Sequence, residues 1–254
     1  MASSSTLSPI IATALHLIPD NSTRILDIGC KTANILSYLR ERFSKELIEI
    51  IGIESLDSQV KNISDGYIRR FEVKFEDIAE LPFPHGYFDC ILCLDMLQKM
   101  VNPDHFLSVL LKPYLSPGGT LILTLPNILH NSFLLNLLCK GRFEGSLVTN
   151  DSNDLRFFSI FESIELLMRN GFEVDSKIYC TVSPEDPKTA EFYSDLSTLI
   201  GSNNGTNYEL LSRIVYFVLL CRKANSLATV QPILWNNYTF FTSIDDSGAE
   251  VHLA

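Results

Sequence analysis

Apolar and polar positions along this chain fall into blocks that switch between two periods. Residues 24–28 (Arg-Ile-Leu-Asp-Ile) form a short apolar run broken by one acid, and apolar positions resume at Ile35, Leu36 and Leu39 with the spacing of one helix face. A strand that feeds a helix through a glycine-containing turn opens a doubly wound α/β domain. Its turn lies at the carboxyl edge of the sheet, where such folds bind ligands. The spacing therefore directs Asp27, Gly29 and Cys30 toward a ligand crevice.

The same two periods recur downstream. Residues 8–17 have helical spacing at Ile10, Ile11, Ala14 and Leu15 and stop at Pro19-Asp20-Asn21. Residues 47–53 are almost continuously aliphatic, as a strand buried on both faces is, and Glu54 ends them 25 positions after Gly29. A weak helix over 57–67 and a third strand over 68–75 follow. The turn chemistry of Leu81-Pro82-Phe83-Pro84-His85-Gly86 then leads into a buried strand over 87–94, bounded by Asp95. Residues 96–111 read as a helix that restarts near Asp104 after Asn102-Pro103. Ser116-Pro117-Gly118-Gly119 turns the chain into a strand over 120–125, closed by Pro126-Asn127. Five strands alternating with helices, none joined by a hairpin turn, describe a mostly parallel sheet with right-handed crossovers.

Residues 128–158 interrupt that rhythm and read as a lid or acceptor-binding insertion, with a short helix over 133–138 and a polar second half. A helix over 160–168, a stop at Gly171 and a sixth strand over 172–181 follow. Beyond a Gly-Ser-Asn-Asn-Gly linker, 214–221 is a last apolar strand, read as an antiparallel partner. The expected division is 1–224 as one α/β domain with an insertion at about 128–158, and 225–254 as a tail. For that tail, an extra strand pair and an unstructured end fit the composition equally.

Composition narrows the functional classes. With 254 residues, 46% apolar and 20% charged, the chain buries a substantial core, and none of its apolar runs reaches the length that crosses a bilayer. Residues 1–9 have no basic group ahead of an apolar segment, which reads as neither a secretory nor a mitochondrial signal, so a cytoplasmic location is expected. Of six cysteines only Cys90 and Cys93 are close, and on a strand they face opposite ways, which suits neither a metal nor a redox pair. No metal is expected. The net charge of −10 repels a phosphate backbone, so nucleic acid is not the expected partner.

Acids stand at successive strand tips: Asp27, Glu54 and Asp77, with Asp95 at a fourth. The order resembles the class I S-adenosylmethionine-dependent methyltransferases. Their glycine-rich turn, Asp-x-Gly-x-Gly-x-Gly, is followed by an acid closing the second strand, an acid after the third, and a Phe-Asp-x-Ile-like fourth strand. Here those read Asp27-Ile28-Gly29-Cys30-Lys31-Thr32-Ala33, Glu54, Asp77 and Phe88-Asp89-Cys90-Ile91. Leu115-Ser116-Pro117-Gly118-Gly119, Leu125-Pro126-Asn127 and Asp154-Leu155-Arg156-Phe157-Phe158 look like a branch found beside bacterial glycan and secondary-metabolite pathways. Two departures stand out: Lys31 and Ala33 replace the second and third glycines, and Gln98-Lys99 stands where that branch has Glu-His.

The resemblance implies an α/β fold, Rossmann-like and doubly wound: a seven-stranded, mostly parallel sheet with one antiparallel strand and helices on both faces. It implies S-adenosyl-L-methionine as cofactor. Asp27 would hold the amino end of its methionine moiety, with the backbone of Gly29 and Cys30 close by and Lys31 beside its carboxylate. Glu54, with Ser55 adjacent, would accept from the ribose hydroxyls. Asp77 would accept from the adenine amino group and Ile78 would press on the ring, while Cys93 and Asp95 line the crevice. The expected acceptor is a small molecule, a sugar or a lipid-linked intermediate. His130 is the candidate base, and Asn127 and Arg156 are the candidate acceptor-binding residues. The rival reading is a catalytically silent methyltransferase-like binding or scaffold module.

Overall fold

The architecture comes from a computed structural model that describes residues 7–29, 33–43, 48–55, 68–73, 80–141, 154–184, 187–200, 206–224, 235–244 and 250–252. Helix α1 (Pro9–His16), started by a proline at its first position, precedes β1 (Arg24–Ile28) and α2 (Ala33–Arg42). Next come β2 (Glu49–Ser55), β3 (Ile68–Val73) and β4 (Phe88–Leu94). The stretch 96–111, expected as a helix that restarts near Asp104, does break at Asn102-Pro103, but its two parts are not regular α-helix. It forms a 3-10 turn (Leu97–Lys99), a three-residue helix α3 (Pro103–His105) and a π-helical turn (Phe106–Leu111). Pro103 forces the break, and the wider π turn buries Phe106, Leu107, Leu110 and Leu111 together.

Strand β5 (Leu115–Pro126) begins earlier than expected. Residues 116–119 form a bulge within it, because Phe88 pairs with Leu115 and Cys90 already pairs with Thr120. Helices α4 (Asn131–Lys140) and α5 (Ile160–Arg169) follow. α5 carries a capping box in which Ser159 and Glu162 satisfy each other's backbone N–H. Strands β6 (Phe172–Val182) and β7 (Ile214–Lys223) are the expected sixth and last strands, and helices α6 (Pro187–Ile200) and α7 (Tyr208–Arg213), to which no element was assigned from the sequence, lie between them. Beyond residue 224, β8 (Thr239–Ile244) and β9 (Glu250–His252) take the strand-pair option for the tail.

The sheet order is β3-β2-β1-β4-β5-β7-β6-β8-β9. Strands β3 to β5 are mutually parallel, and β7 runs antiparallel to both β5 and β6. The seven-stranded sheet with one antiparallel strand is therefore present. β8 extends it parallel to β6, and β9 returns antiparallel to β8.

Side-chain parity splits the core into two layers. Leu26, Ile28, Ile51, Ile53, Ile91 and Cys93 face the layer that contains α5 and the π turn. Ile25, Ile50, Cys90, Leu92 and Ile122 face α1 and α2, where Ala14, Leu15, Ile35 and Leu39 meet them. Cys90 and Cys93 lie on opposite faces, as the strand reading requires. Burial pushes both thiols well above their ordinary range, so they are inert core groups.

Asp89 of the Phe-Asp-x-Ile motif ties the sheet at its other end. Its Oδ2 accepts from the backbone N–H groups of Thr23 and Arg24 (both 3.1 Å) and from Thr23 Oγ1 (2.7 Å). The acid thus satisfies the entry to β1 from the neighbouring strand, a role the sequence motif alone does not reveal.

Candidate functional site

The crevice is built where β1 hands over to its turn. Asp27 pairs with Gly52 on β2 and Leu92 on β4, and Glu54 lies two residues beyond Gly52. By strand parity Asp27 and Glu54 project to the same face, and both are 1% exposed. Gly29 continues the ladder, donating its N–H to Ile53 C=O at 2.7 Å. Its φ of +79° lies in the left-handed region that glycine alone enters without strain.

Two buried carboxylates this close are electrostatically costly. Desolvation, with the Glu54 charge adding to it, pushes the Asp27 carboxyl up to about 7. Asp27 Oδ2 has no hydrogen-bond partner among the described residues. A buried carboxyl oxygen without a donor is an acceptor in want of a ligand, and a cationic group bearing N–H donors would both satisfy it and stabilise the charged form.

The fourth strand tip forms the opposite wall. Asp95 follows β4 with φ 58°, and among the described non-glycine residues it alone has positive φ. Its N–H donates to Thr124 Oγ1 (3.0 Å) and Thr124 C=O (3.3 Å), which holds the strained backbone in place. Its Oδ1 accepts from Gln98 Nε2, and its Oδ2 stands 3.8 Å from Lys99 Nζ. Cys93 sits in the core with its sulfur directed away from the two acids, leaving only its backbone for the crevice.

Cys30, Lys31, Asp77 and Ile78 lie outside the described residues, as does the side chain of Ser55, whose backbone ends β2.

The residues assigned to the acceptor side are used differently from expectation. His130, the candidate base, is the N-cap of α4: its Nδ1 accepts from the Ser132 N–H at 3.4 Å and lies 2.7 Å from Ser132 Oγ. That places the proton on Nε2, which donates to Ser183 Oγ at 3.2 Å. Burial lowers its pKa, and both ring nitrogens have a hydrogen-bond partner. Asn127, expected to touch the acceptor, is fully buried. Its amide nitrogen donates to the carbonyls of Leu211 and Ile214 (2.9 Å each), and its oxygen accepts from Leu129 N–H at 3.2 Å. It is a staple joining β5 to the α7–β7 junction.

Arg156, the other acceptor candidate, donates from Nε to Met100 C=O at 3.2 Å and from its second nitrogen to Val101 C=O. It clamps segment 154–158 to the turn after β4. The same segment borders a groove of about 540 Å³ lined by Asn102, Asp104, Leu155, Phe157, Glu165 and Arg169, among others.

Comparison with known proteins bears on this arrangement. Residues 4–177 match a family model described as a methyltransferase domain. The chain is 28% identical over 152 residues to a ubiquinone/menaquinone biosynthesis C-methyltransferase UbiE from Methylococcus capsulatus, covering 56% of this chain and 60% of that protein. It is 23% identical over 163 residues to a ubiquinone biosynthesis O-methyltransferase from Rickettsia canadensis, covering 63% and 66%. The matches thus span less than two thirds of the length of these relatives. Among solved structures, a complex between the Haloferax volcanii Trm112 methyltransferase activator and a methyltransferase aligns with TM-score 0.56 at 16% identity, over 85% of this chain and 89% of that one. A methyltransferase from Bacillus halodurans aligns with TM-score 0.51 at 15% identity, over 85% and 99%. These two likenesses speak for the fold.

S-adenosylmethionine is the cofactor these findings imply, and the described residues fit it. Its ammonium and sulfonium charges match a crevice walled by the Asp27, Glu54 and Asp95 carboxylates, one of which has an unspent buried oxygen. Its ribose diol matches the strand-tip Glu54, since one carboxylate accepts from two hydroxyls. The family model covers more than half of the chain, and the strand order, the turn at Gly29 and the acid pair agree with it: the chain belongs to the methyltransferase domain family.

Proposed function

We propose that this protein transfers the methyl group of S-adenosylmethionine to a small-molecule acceptor. The observation that carries the reading is the Asp27–Glu54 pair, buried on one face beside a positive-φ glycine, with an Asp27 oxygen that has no hydrogen-bond partner among the described residues. Bound cofactor supplies an activated methyl on a sulfonium. The chain's own part is to position two reactants and exclude water, since displacement at a sulfonium needs little covalent help. Asp27 binds the ammonium end and Glu54 the ribose hydroxyls. Gly29 leaves room for the backbone to approach, and Asp95 presents a carboxylate from the opposite wall.

For the acceptor, the UbiE and ubiquinone O-methyltransferase relatives support an aromatic quinol or phenol ahead of a sugar or lipid-linked glycan. With His130 committed as a cap, proton acceptance from such an acceptor falls to a carboxylate at the crevice mouth or to water.

The test is transfer of label from S-adenosylmethionine carrying a radioactive methyl to a demethylated quinol, a catechol and a set of amino- and deoxy-sugars. Transfer to a phenolic acceptor, abolished by Glu54→Ala, is expected. Binding of S-adenosylhomocysteine without transfer to any acceptor class would favour the silent binding module.

A further inference from the structure

The turn after β4 and the segment after α4 meet at one residue. Gln98 is fully buried, and its side-chain Nε2 donates to Asp95 Oδ1. Its main-chain carbonyl accepts from two successive backbone N–H groups, Leu155 and Arg156, each at 3.0 Å. Arg156 then reaches back to the carbonyls of Met100 and Val101, so segment 154–158 is fastened to the same short turn from both its backbone and its guanidinium. The Gln98 Oε1 has no partner among the described residues, so Asp95 alone fixes the orientation of the amide. Asp95 in turn is held in the left-handed region, a conformation that persists only where surrounding contacts enforce it.

We propose that Gln98 is a positioning residue that fixes the Asp95 carboxylate and segment 154–158 as one unit, so that the acid at the crevice mouth is aimed only while that segment is seated. The purpose of this coupling rests on the methyl-transfer reading. Asp95, whose side chain is 34% exposed, stands at the tip of β4, the strand beside β1 and its Asp27, and segment 154–158 borders a groove of its own. Gln98 itself touches neither reactant. It stands where the related branch has Glu, and the amide matters: a carboxylate there would repel Asp95, whereas the amide donates to it.

A coupling of this kind is reciprocal. Loosening Asp95 must loosen segment 154–158, although Asp95 makes no hydrogen bond to it among those described. The Leu155 and Arg156 N–H groups bond to a main-chain carbonyl that every side-chain variant at position 98 retains. Their hydrogen exchange therefore reads the coupling rather than the deletion of a partner.

The experiment is amide hydrogen exchange of the ligand-free full chain, with S-adenosylhomocysteine titration run alongside. Asp95→Gly relieves the backbone strain while removing the carboxylate, and Gln98→Met keeps the packing while removing the donor. Each variant is expected to speed exchange at Leu155 and Arg156 at least tenfold, with Leu123 in β5 as protected as before, and the double variant to do no more than either alone. Exchange within twofold of the parent in Asp95→Gly overturns the coupling, as does full additivity in the double variant. If either substitution unfolds the chain, Arg156→Gln decides from the other side: faster exchange at the Asp95 amide supports the coupling and unchanged exchange refutes it. Failure of the cofactor to bind the parent protein would count against methyl transfer while leaving this readout intact.

Discussion

A Cβ on Gly29 would stand 2.2 Å from the sulfur of Met96. The Met96 side chain, just past the end of β4, therefore fills the space a side chain at position 29 would need. Gly29→Ala is expected to lower the melting temperature through two separable effects. The φ of +79° costs about 1–2 kcal/mol for a residue with a Cβ, and the clash with Met96 adds to it. Combining it with Met96→Ala should recover the clash but not the backbone strain, so thermal melts of the double variant should fall between the parent and Gly29→Ala after allowance for the Met96→Ala loss alone. Recovery to the level of Met96→Ala by itself would refute the backbone half of this account.

The Asp27 carboxyl makes the ligand-free protein sensitive to pH. Its folded pKa of about 7 lies above the unfolded value near 4, so between those pH values the native state holds a proton that the unfolded state has lost. This group therefore destabilises the fold increasingly as pH rises from about 4 to about 7, and adds nothing further above that. Denaturant melts of Asp27→Asn against the parent should show the variant's advantage growing across that window. A cationic ligand favours the charged carboxyl, so cofactor binding near pH 6 should release protons, seen as a dependence of binding heat on buffer ionisation enthalpy. Binding heat that is the same in phosphate and imidazole buffers would contradict the assignment.

Asn127 gives a stability prediction with no bearing on cofactor. Asn127→Ala leaves the buried carbonyls of Leu211 and Ile214 without their donor and should cost about 2–4 kcal/mol. Cofactor affinity in the folded fraction should stay within threefold of the parent. A large affinity loss at unchanged stability would return Asn127 to the binding site.

His130→Ala should cost about 1 kcal/mol through loss of the α4 cap, and methyl transfer, once an acceptor is in hand, should fall less than tenfold. A collapse of the rate by three orders of magnitude, with the melting temperature unchanged, would reinstate the histidine as base.

Glu54 was legible because it ends an almost continuous aliphatic run, and Asp27 because it is the one acid in the apolar run that leads to Gly29; strand periodicity gave their places, and the family resemblance gave their expected roles. In 96–111 the break at Asn102-Pro103 was legible, but the helix type was not: burial of Leu97, Met100, Phe106, Leu107 and Leu110 mimics an α-helical period, while a 3-10 turn and a π turn deliver the same side chains to the core. The capping place of His130 was not legible because side-chain caps are usually Ser, Thr, Asp or Asn, so a histidine before an apolar helix draws attention as chemistry. Ser132, two residues on, was the available signal. The tail strands stayed open since β8 pairs with β6 over only three residues, with Phe240 and Phe241 buried side by side rather than alternating. Asp89 was read as a family mark, and its structural task appears only when β1 and β4 are seen side by side.

The account rests on a cationic nucleoside settling against Asp27 and Glu54, and equilibrium binding of S-adenosylhomocysteine and S-adenosylmethionine by calorimetry addresses it most directly. One site per chain is predicted, with affinity reduced at least a hundredfold by Glu54→Ala and with the melting temperature rising as ligand is raised. No measurable heat and an unmoved melting curve at millimolar ligand would contradict it.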